Sequence, residues 1–331
     1  MGGVGVLRLH FSGDDLARTR IAAGPDPLWE VVLSTNLLGN RDGPAVFDPW
    51  RAEAREQLRR LPGWMPRLLR TVAPAYGDFP DFLTPQEGQQ GLTEGIEAVL
   101  NTPRGRLRRE LLTLGPLPDH VSDLARGDVE ALRALGAALR TYHDTALRPH
   151  WPRVATQAEA DRSVRARAFM LGGVEAVLNS FRPLLRWHPP VLEADYPLDR
   201  DLHLGGRGLV LVPSVFCWRR PVTLIDPRLP PVLVYPVARS ADWWSGPAPE
   251  PGRDRLAGLL GVSRAAILRA AADGCSAGEL ARRAAASPAA ASHHLRVLRE
   301  AGLVTATRRG TTILYTLTPV GHALLAENPA A

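Results

Sequence analysis

The chain has 331 residues, of which 45% are apolar and 22% are charged, and a net charge of +6; these values are ordinary for a globular protein with room for two domains. Two cysteines exclude a secreted disulfide framework, and the opening residues lack a signal-peptide pattern. The longest apolar run, residues 208–218, is too short to span a bilayer, so the composition favours a cytoplasmic protein without a membrane partner.

The first 190 residues are predicted to be mainly helical. Alternation of Leu7, Leu9 and Phe11 indicates a short strand first, and Ser12 with Asp15 three positions later indicates a capped helix. Apolar periodicity then predicts helices over residues 27–38, 48–60, 64–72, 93–114 (broken near Thr102), 128–147 and 152–185 (kinked at Gly172-Gly173).

The pattern changes to short β-rich segments over residues 191–196, 201–204, 208–217 and 232–235, which predict a small antiparallel sheet. Residues 241–254 are rich in proline and predict a linker. The expected fold class is therefore α+β, mostly helical: a regulatory domain of unknown function over residues 1–240, the linker, and a separate domain over residues 255–331.

Local signals in the last domain delimit two helices joined by a tight turn. Ser276 with Glu279 has capping-box spacing and opens a helix to about Ala285. Ser287 then caps a second helix, with Pro288 at its first position and Gly302 suited to closing it. Ala291, Leu295 and Leu298 form the inward stripe of that helix, with His294 at its border, where we expect the ring nitrogen to be hydrogen-bonded locally.

The opposite face of the second helix carries Ser292, His293, Arg296 and Arg299, the chemistry and size that fit a DNA major groove. Two β-branched runs around Arg308-Arg309-Gly310 predict a basic hairpin. Residues 255–331 hold nine arginines and four acids, +5 of the total +6. Helices, hairpin and charge together predict a winged helix-turn-helix that binds double-stranded DNA.

Residues 256–325 resemble the DNA-binding domain of ArsR-type bacterial repressors, most specifically over residues 292–304. The resemblance implies that Ser292 and His293 contact base edges, that Ser287 and Arg296 contact phosphates, and that Arg308 and Arg309 form a wing in the adjacent minor groove. The chain departs from the family at Pro288-Ala289-Ala290, where relatives often carry polar side chains. The alanine methyl groups can contact thymine methyls but cannot form hydrogen bonds.

The first domain is similar to helical domains of unknown function that precede ArsR-like winged helices in GC-rich bacteria. The similarity lies in Leu9-His10-Phe11 with residues 15–18, and in residues 206–214. It implies architecture but no chemistry. Two hypotheses follow: this domain senses a small apolar effector in a cavity lined by some of its aromatic residues, or it is a protein-interaction and oligomerisation platform tethered to DNA.

The resemblance also implies a repressor. A helix predicted over residues 255–272 offers an apolar surface for a homodimer, formed by Leu256, Leu259, Leu260, Ile267 and Leu268. Twofold symmetry would then require a pseudo-palindromic operator.

Metal sensing, redox sensing and catalysis are the alternatives. Many ArsR relatives bind metals, but Cys275 has no neighbouring ligand, and His322 with Glu327 does not complete a zinc site. A redox role for Cys275 stays open as a minor alternative. The sets of His120 with Asp119 and Asp123, and of His143 with Asp144 and His150, match no known catalytic spacing. The sequence therefore predicts no enzyme, no metal and no cofactor.

Overall fold

A computed structural model describes residues 5–239, 255–309 and 312–326 of the chain. Its internal contacts divide it into two compact units, Met1–Ala248 and Pro249–Ala331. The predicted linker, residues 241–254, lies outside the described residues. The predicted class, α+β and mostly helical, is confirmed. In the described residues, no helix has the length and hydropathy needed to cross a bilayer.

The first unit begins with β1 (Gly5–His10) and a capped helix, as predicted, and contains nine helices within its described residues. They are α1 (Gly13–Arg18), α2 (Pro27–Gly39), α3 (Pro44–Leu58), α4 (Trp64–Val72), α5 (Leu92–Leu100), α6 (Arg104–Leu111), α7 (Asp119–Ala125), α8 (Val129–Tyr142) and α9 (Trp151–Asn179). The kink of α9 at Gly172-Gly173 is confirmed. The predicted start of the third helix at residue 48 is wrong, because α3 begins at Pro44 and contains Pro49.

Helix α2 lies at the centre of the helical part and contacts α3, α4, α5 and α8. Its buried side chains include Leu28, Trp29 and Val32, and also the acidic Glu30. The Glu30 carboxylate accepts hydrogen bonds from the Ser214 hydroxyl (2.7 Å) and from two backbone N–H groups of the following turn. These bonds join α2 to the end of a strand 184 residues away and satisfy a carboxylate that burial would otherwise leave without partners.

The strands of the first unit form two mixed sheets, and the predicted single antiparallel sheet is wrong. The further strands are β2 (Arg20–Ile21), β3 (Leu185–His188), β4 (Val191–Tyr196), β5 (Arg200–His203), β6 (Val210–Ser214), β7 (Val222–Thr223) and β8 (Val232–Pro236). One sheet has the order β3-β4-β1-β5 and the other β2-β6-β8-β7. Strand β8 runs parallel to β6 and antiparallel to β7, the strand that lies between them in the sequence.

The second unit follows the order helix, helix, strand, helix, helix, hairpin, helix. Its elements are α10 (Arg255–Leu260), α11 (Val262–Ala270), β9 (Cys275–Ser276), α12 (Ala277–Arg283), α13 (Pro288–Glu300), β10 (Val304–Arg309), β11 (Thr312–Leu317) and α14 (Pro319–Ala326). The three strands form a sheet of order β10-β11-β9. A separate apolar core, which includes Leu280, Leu295 and Leu298, joins the helices to this sheet.

The predicted dimer helix over residues 255–272 is two helices. They are separated at Gly261, whose φ of +84° a side chain rarely adopts. Leu256, Ile267 and Leu268 are fully buried in the core of the unit itself. Their assignment to a dimer surface is therefore wrong, because a residue that packs within the monomer is not available to a second copy. Leu259 is 70% exposed and Val262, next to the break, is 76% exposed.

Candidate nucleic-acid interface

Helices α12 and α13 are joined by a turn whose geometry is fixed by backbone hydrogen bonds. The Ser276 hydroxyl oxygen caps α12 by accepting from the Glu279 N–H. At the other end Ala285 adopts a left-handed conformation (φ +49°), and the Ala286 N–H donates to the Ala281 carbonyl (2.9 Å). This closure is the one that glycine usually makes. It leads the chain directly to Ser287, the N-cap residue of α13.

Both ends of α13 are defined as the sequence predicts. The Ser287 hydroxyl oxygen accepts from the Ala290 N–H (3.2 Å), and Pro288 occupies the first helical position. Gly302 has a φ of +69°, and the N–H of the next residue, Leu303, donates to the Leu298 carbonyl (2.9 Å). A helix held at both termini keeps its side chains in fixed register, which positions the outward face.

The inward and outward faces of α13 are those that the periodicity predicts. Ala291, Leu295 and Leu298 are buried. The polar side chains on the other side are exposed, and with Ser287 and Ala289 they form a continuous outer surface; Ala290 is half-buried. The exposed polar residues are Ser292, His293, Arg296 and Arg299. A hydroxyl, an imidazole and two guanidinium groups on 13 residues can donate hydrogen bonds to base edges and phosphates.

Arg296 has only weak partners on the helix surface. Its Nη2 lies 3.5 Å from Nδ1 of His293, and its Nη1 lies 3.9 Å from Oε1 of Glu300. Exposed pairs at such distances contribute little to stability. The guanidinium can therefore leave them for a stronger anion, such as a phosphate, at little cost.

His294 differs from its sequence prediction. It is half-buried, and its Nδ1 has no hydrogen-bond partner among the described residues, whereas we expected the ring nitrogen to be satisfied locally. Burial lowers the pKa of His294, and the neighbouring His293 and Arg264 act in the same direction. The lowered pKa favours the neutral form of the ring beside the exposed face.

Two further arginines on α12 are held by an acid. Arg282 and Arg283 both pair with Glu279, the latter at 3.0 Å, and the hydrogen bond from Arg283 holds the pKa of that carboxyl below its usual range. Within the part of the chain that the structure describes, Arg299 pairs with no acid; the sequence places it on the outward face of α13 without giving it a DNA contact. Its position three residues after Arg296 puts it on the same helix face, as the sequence indicated.

The predicted hairpin is confirmed as β10 and β11, which pair in register from Val304 with Leu317 to Arg309 with Thr312. Arg308 is exposed near the tip and lies opposite Ile313, which is 49% exposed. The side chain of Arg309 and residue 310 lie outside the described residues. The hairpin follows α13 directly, since the strand begins two residues after Gly302.

The residues considered for a metal, redox or catalytic site do not form a cluster in the described part of the chain. In the described residues, no three His, Cys, Asp or Glu side chains lie together as metal ligands. Cys275 is buried in β9, and Glu327 lies outside the described residues. His143 Nδ1 is 3.5 Å from Asp144, whereas His150 faces Glu53 at 3.4 Å, and burial lowers the pKa of His150 to about 4. The side chain of His120 lies outside the described part.

Comparison with known families supports the helix-turn-helix assignment of the second unit. A family model described as a helix-turn-helix domain matches residues 263–306. The match runs from α11 through α12 and α13 into β10, and so contains the helix pair and the outward face described above. This class of domain binds DNA and serves in transcription regulation. Neither the curated proteins nor the solved structures that were compared with the chain give a match.

Proposed function

We propose that the chain is a transcription regulator of ArsR type, a repressor that binds a pseudo-palindromic operator as a homodimer and senses a small molecule through its first unit. The observation that carries the DNA-binding part is α13: a helix capped at both ends that exposes Ser292, His293 and Arg296 beside a basic hairpin. The proposal assigns the chain no catalytic role, metal or cofactor. It places the protein in the cytoplasm, where bacterial DNA lies.

In this proposal Ser292 and His293 read base edges, and Ala289 and Ala290 offer methyl contacts to thymine. Ser287 and Arg296 hold phosphates. The Ser287 oxygen already accepts from the Ala290 N–H, so its hydroxyl hydrogen is left to donate to a phosphate at the positive end of the helix.

A homodimer is proposed because a second copy doubles the DNA contacts that a small domain can make. Twofold symmetry would set the two recognition helices about 34 Å apart, which is one turn of B-DNA. Leu259 and Val262 are the exposed large apolar residues of the described part of the α10–α11 region. They support a smaller dimer surface than the sequence suggested.

Replacing Arg308 and Arg309 together with Ala should weaken binding to every duplex about tenfold at moderate salt and flatten the salt dependence. Each lost phosphate contact removes about 0.9 from the slope of log K against log salt. Fluorescence anisotropy at four salt concentrations, with a co-purified DNA sequence and a random duplex, measures both effects. A pair of exposed arginines in the first unit, Arg60 and Arg133, replaced in the same way, provides the control for net charge. An unchanged slope in the hairpin variant would disprove the wing assignment.

The second candidate function, an oligomerisation platform, is favoured by one exposed apolar segment. Phe169, Met170 and Leu171 are 55%, 85% and 88% exposed, directly before the kink of α9. Adjacent apolar side chains in water are typical of interaction sites. If this segment joins copies of the chain, Met170→Ser with Leu171→Ser should reduce the mass measured by light scattering while leaving the helical content unchanged. An unchanged mass would count against the platform.

A further inference from the structure

The first unit contains an open cleft of about 530 Å³ between α2, α3, α4 and α8. This volume is within the range of small-molecule sites. Its walls come from distant parts of the sequence, from Thr35 on α2 to Tyr142 on α8. The side chains of this cleft, hereafter the helical cleft, divide into an apolar floor and a cationic rim.

The rim consists of three exposed arginines, Arg55, Arg59 and Arg70. No acidic residue lines the helical cleft, and none of the three arginines forms a salt bridge within the described residues. Arg55 donates one hydrogen bond to the Leu38 carbonyl (2.9 Å), and Arg59 donates one to the Arg55 carbonyl (3.1 Å). Since a guanidinium has five N–H donors, most of the donors at the rim are left for an anion.

The floor is aliphatic. Its apolar lining consists of Leu38, Leu58, Leu61, Pro66 and Leu69. This cleft therefore differs from the aromatic-lined cavity that the sequence suggested. Its one aromatic side chain, Tyr142, shares a hydrogen bond with the Ser34 hydroxyl (2.9 Å). Burial raises the pKa of Tyr142 well above its usual range, so the phenol stays neutral and adds no negative charge to the floor.

From the aliphatic floor and the unpaired cationic rim, we propose that the helical cleft binds a small amphipathic anion, with a carboxylate or phosphate head on the arginines and a hydrocarbon body on the leucines. Guanidinium groups bind both heads in bidentate fashion, and the body gains from the removal of apolar surface from water. This inference names the ligand class for the sensing role proposed above. Ligand binding itself does not depend on that role, but the effect of the ligand on DNA binding does.

Calorimetry on the full chain with four ten-carbon probes tests the site directly. Decanoate or decyl phosphate should bind, and the comparison of the two identifies the head. Decanol and decylammonium, with the same body but a neutral or cationic head, should bind at least tenfold more weakly, and inorganic phosphate alone should not bind detectably. Equal binding of decanol and decanoate would overturn the proposal, because the arginines would then contribute nothing.

Variants locate the binding. Arg59→Gln and Arg70→Gln should each weaken decanoate at least tenfold, whereas Arg67→Gln, an exposed arginine on α4 outside the lining, should not. Gly63→Phe should abolish binding by filling the cleft, since a Cβ at Gly63 meets no atom within 4 Å and needs no backbone change. An Arg67→Gln effect equal to that of Arg70→Gln would overturn the site.

The regulatory consequence is measured separately, as the affinity of the chain for its DNA with and without the bound probe. Binding that leaves DNA affinity unchanged supports the helical cleft and contradicts the sensing function. If none of the probes binds, the proposed ligand site in the helical cleft is overturned. The proposal that the chain binds DNA is not affected by that result.

Discussion

Asp26→Asn should raise the free energy of unfolding of the chain at pH 8 by about 4 kcal/mol and have almost no effect at pH 4. Asp26 caps α2 with Oδ1, which accepts from the Leu28 N–H (2.9 Å) and the Trp29 N–H (3.2 Å). Its other oxygen, Oδ2, is buried and finds no hydrogen-bond partner in residues 5–239, 255–309 or 312–326. Asparagine keeps the capping oxygen and removes the buried charge.

The direction follows from the pKa of Asp26. Burial raises it from 3.8 to about 7, the two backbone hydrogen bonds lower it in part, and the nearby Glu30 raises it further. Between pH 4 and pH 7 the folded chain binds the Asp26 proton and the unfolded chain does not, so stability falls as the pH rises through this window and levels off above it. The variant lacks this loss, and the difference from the parent chain therefore grows over the same window.

Denaturant unfolding at intervals between pH 4 and pH 8 measures the effect. Asp128→Asn is the matched control, because Asp128 caps α8 in the same manner, by accepting from the Ala131 N–H (2.9 Å), but from an exposed position where the carboxylate keeps its hydration. A gain at Asp26 that is the same at pH 4 and pH 8 would contradict the buried charge as its cause.

The DNA-binding helix could be predicted in detail because its signals are local. The Ser287 cap, the Gly302 closure and the stripe of Leu295 and Leu298 all lie within 16 residues, and each acts through neighbours on the same helix. The exposure of Ser292 and His293 follows from that stripe without further information. The local hydrogen bond predicted for the His294 ring was wrong. The environment of this ring depends in part on Arg264, a residue of another helix.

The first unit was predicted less well because its determining contacts are distant in sequence. Strand β1 pairs with β4 and β5 across more than 180 residues, and the parallel pairing of β6 with β8 has no local signature. The start of α3 was misplaced because Asp48-Pro49 resembles a helix start, although Pro44 already occupies the first turn. The helical cleft is assembled from four helices, so its arginines were indistinguishable from solvated surface charge.

Ser292→Glu should reduce affinity for operator DNA by about 100-fold and leave the fold intact, if α13 enters the major groove as proposed. A carboxylate on the outer face would meet the negative potential of the DNA, and like charges brought together in an interface cost several kcal/mol, about 2–4 here. The side chain of Ser292 is exposed, and glutamate is a better helix former than serine, so the helix itself should not weaken. Anisotropy titrations with the operator and with a random duplex measure the loss.

Ala323→Glu provides the charge-matched control, because Ala323 is exposed on α14, outside the helix pair and the hairpin. If only the net charge of the unit mattered, both variants would lose affinity equally, by the small factor expected from one added charge at moderate salt. If α13 is the recognition helix, the Ser292 variant should lose far more, and equal losses in the two variants would place the DNA on another surface. The difference between them therefore reports where the phosphates lie, independently of how tightly the parent chain binds.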